Sequence, residues 1–186
     1  MTVKILLSGF GGQGILAMGK MYAQAASDSD RNVTSMPFYE GSMRGGAANT
    51  YLIVSDDRIR CPVISKSTAD IVVAMYQRAA KEYGDFACAG GIVIVNTDLV
   101  DELPDAAGAK LVRIPVNSIA AEVHNERSAN IVMLGVLAAC TDAVSADAVK
   151  NVIRAKFARK GPELEERNIA AFDAGYAKAK EELADA

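Results

Sequence analysis

The stretch "KILLSGFGGQG", Lys4 to Gly14, sets the reading of the whole chain. "VKILLSG" (3–9) is an apolar run of strand length that ends in glycine. Helical spacing starts directly after it, with Ile15, Met18, Met21, Tyr22 and Ala25 on one face. Gly9-Phe10-Gly11-Gly12-Gln13-Gly14 therefore fits GxGxxG where that motif works, after a strand and opening a helix. Glycines allow the tight turn and let a phosphate approach bare backbone, next to unpaired N–H groups of the helix start. The same glycines also suit a loop that only packs a helix closely on a strand. Gln13 favours the binding reading, because an amide at a helix start can reach a ligand or a partner's backbone.

A dinucleotide site needs a further feature, an acidic residue at the tip of the second strand to hold the ribose hydroxyls. "NVTSM" (32–36) reads as that strand, stopped by Pro37, and its tip is Met36-Pro37-Phe38-Tyr39. Asp28 and Asp30 precede it, and Glu40 lies past it. An NAD(P) site thus lacks its second half. The next segment, "YEGSMRGGAAN" (39–49), is a second glycine loop. Arg44 joins a rigid fork of donors to the exposed backbone of Gly45 and Gly46, a combination suited to phosphate or carboxylate. Loops after parallel strands collect on one sheet edge, so both loops are expected on one crevice.

Further along, "AANTYLIVSDDRIRCPVI" reads as a hairpin turning at Asp56 and Asp57. "DIVVAM" (70–75) and "GIVIVN" (91–96) are unbroken apolar strands, as expected where helices cover both sheet faces. Tyr76 to Tyr83 is helical in composition, and "KLVRIPV" (110–116) is the last strand. Only helices follow. "NSIAAEVHNERS" and "NIVMLGVLAAC" divide near Ser128 and Ala129, and a third is capped by Ser145 and closed by Gly161. Pro162 opens the fourth, with Glu163, Glu165 and Glu166 near its positive end. Its stripe of Ile169, Phe172, Tyr176, Ala179 and Leu183 is a docking face, for this chain or another. The expectation is one α/β unit over residues 1–186, Rossmann-like with a mainly parallel sheet flanked by helices. Its sheet core spans 1–116 and its helical part 117–186.

The bulk composition narrows the function. Of 186 residues, 51% are hydrophobic and 23% charged, the balance of a packed globular protein. A net charge of -3 leaves no electrostatic footprint for nucleic acid. No apolar run reaches the roughly 18 residues that span a bilayer, and no signal peptide is visible, so a cytoplasmic chain is expected. Cys61, Cys88 and Cys140 lie 27 and 52 residues apart, without the close pairs of zinc or iron–sulfur sites. They are read as reduced, buried thiols, so the chain carries no cluster of its own.

The two loops also carry a family resemblance. "GFGGQGILAMGKMYAQAA" (9–26), "YEGSMRGGAANTYLIVSDDRIRCPVI" (39–64) and "DIVVAMYQRAAKEY" (70–83) resemble the gamma subunit of the thiamine-dependent 2-oxoacid:ferredoxin oxidoreductases. "GGIVIVNTDLV" (90–100), "NIVMLGVLAA" (130–139) and "NIAAFDAGYAKAK" (168–180) extend the likeness over nearly the whole chain. GGQG followed about thirty residues later by RGG is far more specific than GxGxxG alone.

The resemblance implies a subunit of a pyruvate, 2-oxoglutarate, 2-oxoisovalerate or indolepyruvate enzyme, inactive alone. Such an enzyme converts a 2-oxoacid and coenzyme A to acyl-CoA and carbon dioxide while reducing ferredoxin. It implies thiamine diphosphate and iron–sulfur clusters in partner alpha and beta subunits, with or without a delta subunit, and coenzyme A at a shared site. Gly9, Gly11, Gly12, Gln13, Gly14, Arg44, Gly45 and Gly46 would form or border that site. The GDG…NN thiamine signature is missing, since Phe86 follows Gly84-Asp85. One departure stands out: many members carry an acidic residue two before the arginine, where this chain has Ser42, with Glu40 displaced. "RGGAANTYLIVSDD" leans toward the 2-oxoglutarate type. Two other readings remain, an assembly module without ligand and a stand-alone NAD(P) oxidoreductase. His124, Asp101 and Glu102 read as surface groups, and no residue is assigned proton transfer.

Overall fold

A computed structural model describes residues 1–39, 46–106 and 108–185. The strands are β1 (Thr2–Phe10), β2 (Asn32–Tyr39), β3 (Ala47–Ser55), β4 (Ala69–Ala74), β5 (Ala87–Asn96) and β6 (Lys110–Ile114). The helices are α1 (Ile15–Ser27), α2 (Gln77–Tyr83), α3 (Val116–Glu122), α4 (Ala129–Ala139), α5 (Ala146–Phe157) and α6 (Pro162–Asp185). One sheet runs β2-β3-β1-β4-β5-β6. β1, β4, β5 and β6 are mutually parallel, and β3 is antiparallel to both β1 and β2. β2 consequently points the same way as β1, and the fold is α/β with a mostly parallel sheet.

Central strands bury both faces, which is why they read as unbroken apolar runs. Ile5, Leu7, Ile71, Val73 and Ile94 face the layer of α1, α3, α4, α5 and α6. Leu6, Val72, Ala74, Val93 and Val95 face the thinner layer of α2 and the segment around Ile64. Every residue of α4 from Ile131 to Ala139 is buried, the pattern of a helix enclosed on all sides. α6 lies across α4 with glycines on both helices at the crossing. A Cβ on Gly135 would run into the Phe172 carbonyl, and one on Gly175 into the Val132 carbonyl. The stripe on α6 thus docks on this chain: Phe172 and Ala179 are wholly buried, and Ile169, Tyr176 and Leu183 pack at the margin. At its far end the Leu183 carbonyl accepts from Lys110 Nζ at 2.8 Å.

Two expectations about the strands need correction. Pro37 does not stop β2, which continues to Tyr39. β2 is an edge strand paired only with β3, so the missing proline N–H costs no ladder hydrogen bond. Nor do residues 47–64 form a hairpin. β3 already has β1 on one side and β2 on the other, leaving the chain after Asp57 without a strand to join. The antiparallel pair of consecutive strands is β2–β3.

Ser145 caps α5, its hydroxyl oxygen accepting from the Ala148 N–H at 3.2 Å. Ser145→Ala should lower stability by about 1 kcal/mol, a fall of roughly 2–4 °C in melting temperature by calorimetry. The three cysteines are free, but the expectation of burial is not met: Cys61 is exposed, and Cys88 and Cys140 are half-buried. Burial still raises the Cys140 thiol to about 11, against a smaller opposing pull from Lys180 and Lys110. Among the described residues no helix is long and apolar enough to cross a membrane.

Candidate functional site

The C-terminal ends of β1 and β4 adjoin at the centre of the sheet, where the strand order changes direction. In open α/β sheets this is where ligands bind. The first glycine loop stands there. Its turn is closed by the Gln13 N–H donating to the Phe10 carbonyl at 3.1 Å. Gly12 (φ 108°) and Gly14 (φ 77°) hold left-handed backbone that side chains resist. A Cβ on Gly14 would also press on Asn130, whereas Gly12 opens to free space. α1 then starts with no side-chain cap and no acidic residue in its first turn. Its leading N–H groups and positive dipole end are left for an external acceptor.

Gln13 does a different job from the one expected. Its Oε1 accepts from the Phe10 N–H at 2.9 Å, and its Nε2 donates to the Met75 carbonyl at 3.0 Å. The amide is folded under the loop, into space a Cβ on Gly9 would occupy at 2.6 Å. Its spending on the chain's own backbone explains Gly9. An edge-to-face contact between Phe10 and Tyr76, with centroids 5.3 Å apart, adds to the same join of β1 and β4.

Gly46, on the described side of the second loop, stands at this rim. The Gly11 N–H donates to the Gly46 carbonyl at 2.8 Å, and register pairs Phe10 with Ala47 and Tyr39 with Ala48. Arg44, Gly45, Ser42 and Glu40 lie outside the described residues. The Tyr39 hydroxyl is 2.8 Å from where a Cβ on Gly11 would stand, so the ring forms a wall over the first loop. Between loop, helix start and ring is a cleft of about 460 Å³, lined by Phe10, Gly12, Leu16, Ala17, Tyr39 and Ala48. Bare backbone and the helix N-terminus form its floor, and apolar side chains its walls. The structure so brings Gly9, Gly11, Gly12, Gln13, Gly14 and Gly46 to one place. Tyr39 was missed in the sequence, though its position as the last strand residue before a glycine loop was a usable signal.

The remaining candidates lie elsewhere. His124 is exposed and follows α3 with φ 54°, its backbone N–H donating to the Ala121 carbonyl at 2.9 Å. Asp101 and Glu102 give their N–H groups to Gln77 Oε1 at 2.8 and 2.9 Å. The hydrogen bond from Lys81, 2.6 Å away, lowers the Glu102 carboxyl below its usual range. Among the described residues no group of three or more His, Cys, Asp or Glu could hold a metal ion.

Residues 4–178 match the family model described as pyruvate ferredoxin/flavodoxin oxidoreductase. The chain belongs to that family. It is 38% identical over 185 residues to the 2-oxoglutarate synthase subunit KorC of Methanocaldococcus jannaschii, covering 97% of this chain and 96% of that one. It is 31% identical to the ketoisovalerate oxidoreductase subunit VorA of Methanothermobacter thermautotrophicus, covering 97% of this chain but 37% of VorA. Among solved structures it superposes on the keto/oxoacid ferredoxin oxidoreductase gamma subunit of Geobacter sulfurreducens with a TM-score of 0.80 at 31% identity. That match covers 96% of this chain and 99% of the other. The 2-oxoglutarate:ferredoxin oxidoreductase of Magnetococcus marinus, solved with 2-oxoglutarate, coenzyme A and succinyl-CoA, superposes with a TM-score of 0.87 at 28% identity. There the match covers 97% of this chain and 31% of the longer one. The match thus spans nearly all of some relatives and about a third of others.

Proposed function

We propose that this chain is the gamma subunit of a cytoplasmic 2-oxoacid:ferredoxin oxidoreductase of the 2-oxoglutarate type. Its two-loop rim would bind the phosphates of coenzyme A. One observation carries the reading: the Gly11 N–H to Gly46 carbonyl hydrogen bond, 2.8 Å long, joins both glycine loops beside an uncapped helix N-terminus. Coenzyme A fits the groups on offer, since its phosphates are matched by bare N–H groups and its arm by apolar walls.

Gly11, Gly12 and Gly14 would present backbone to the phosphates, and Gly9 and Gln13 would hold that backbone in shape. Arg44, with Gly45 and Gly46, would add a fixed positive fork from the second loop. When bound, coenzyme A supplies the thiol that takes the acyl group. The residues of this chain bind and orient; thiamine diphosphate, the iron–sulfur clusters and contact with ferredoxin belong to alpha and beta partners, with or without a delta subunit.

The test is co-expression with candidate alpha and beta subunits and measurement of coenzyme A-dependent viologen reduction. Full activity without this chain would remove the proposed role. Arg44→Ala should raise the apparent KM for coenzyme A about tenfold, roughly 1.4 kcal/mol, with thiamine diphosphate content unchanged. An unchanged KM in a complex that still needs this chain would favour the assembly-module reading. Nicotinamide cofactor binding by the purified chain would favour the stand-alone oxidoreductase.

A further inference from the structure

Beneath the glycine loop, side-chain amides and backbone groups form an unbroken row along the C-terminal edge of the sheet. Gln13 Nε2 reaches the Met75 carbonyl at the end of β4 at 3.0 Å. Asn96 Nδ2, at the end of β5, reaches the same carbonyl at 3.3 Å and also Asn117 Oδ1 at 2.9 Å. Asn96 Oδ1 accepts from the Val116 N–H at 3.1 Å and the Asp98 N–H at 3.3 Å. Asn96 and Met75 are both fully buried. A carbonyl oxygen has two lone pairs, and here one donor from each side takes them. The sequence of atoms runs from the Phe10 N–H through Gln13, Met75 and Asn96 to the start of α3.

We propose that Asn96 is a positioning residue for the ligand rim, acting on the first glycine loop through the shared Met75 carbonyl and the Gln13 amide. A loop rich in glycine has few side chains of its own to fix its shape, and the Asn96 N–H on the Met75 carbonyl supplies part of that constraint from the far side of β4. The hydrogen-bond partners of Asn96 are Met75, Asn117, Asp98 and Val116, none of which lines the cleft, so its proposed effect is indirect. This rests on the reading of the rim as a coenzyme A site, and the experiment separates the two.

The isosteric Asn96→Asp removes both N–H donors while keeping the acceptor for Val116 and Asp98. Gln13→Glu removes the donor on the other side of the same carbonyl, in a half-buried position. Each is made in the assembled oxidoreductase and read by amide hydrogen exchange of residues 10–14, by KM and kcat, and by melting temperature. The expected result is about tenfold faster exchange at the Phe10 amide and about fivefold higher KM for coenzyme A, with kcat within twofold. The double variant should be no worse than the more damaged single one, because both act on one carbonyl. Unchanged loop exchange in Asn96→Asp would overturn the proposal, as would additive effects in the double variant. Faster exchange with an unchanged KM would support the positioning of the loop and remove coenzyme A from it. Should Asn96→Asp fail to assemble, Asn96→Ala removes the same donor to the Met75 carbonyl without placing a charge in the core, and the same exchange readout decides.

Discussion

Gly175→Val should loosen α6 from α4 and lower the chain's melting temperature by roughly 6–12 °C. A Cβ at this position meets the Val132 carbonyl and carbon, which are backbone and cannot swing aside. Overpacking usually costs about 1–3 kcal/mol, and sites walled by backbone fall at the upper end. At this chain length each kcal/mol moves the midpoint by about 2–4 °C. The partner contact at Gly135, facing the Phe172 carbonyl, predicts a comparable loss for Gly135→Ala. Calorimetry of the purified chain reads both. A melting temperature within 2 °C of the parent would mean that the helices do not meet through these glycines.

Gly12→Val should raise the KM for coenzyme A about a hundredfold, near 2.8 kcal/mol, in the assembled enzyme. Gly12 has φ 108°, where a β-branched residue is strained by about 1–3 kcal/mol. No atom lies within 4 Å of its built Cβ, so the substitution meets no packing and the core is spared. The damage is confined to the loop's shape and to two methyl groups placed in the cleft. Co-purification with the partner subunits should persist. Loss of assembly with an unaltered KM in the remaining complex would reassign the loop from ligand binding to docking.

How much of this was legible depended on whether a residue's environment is local. β4 and β5 could be read because double-sided burial leaves continuous apolar runs, and Ser145 because a cap hydrogen bond spans three residues. Pro37 misled because the penalty for proline in a strand depends on having neighbours on both sides, and only the assembled sheet shows β2 at its edge. Asp56 and Asp57 carry turn chemistry, yet both edges of β3 were taken by β1 and β2, so no hairpin could follow. The α6 stripe announced a docking face, but its destination on α4 follows from Gly135 and Gly175 meeting across the crossing. At the site, the glycines were visible as a pattern. Which way the Gln13 amide points was not, because that is decided by Met75, sixty-two residues later.

β3 runs against its neighbours, and the ladder between β2 and β3 is closed as far as the Tyr39–Ala48 pair. The described ladder is therefore closed on both sides of residues 40–45. Insertions, deletions or charge swaps between residues 40 and 45 are expected to leave the register of β2, β3 and β1 unaltered. Descendants of one scaffold can in this way diverge in what they grip while inheriting an unaltered frame.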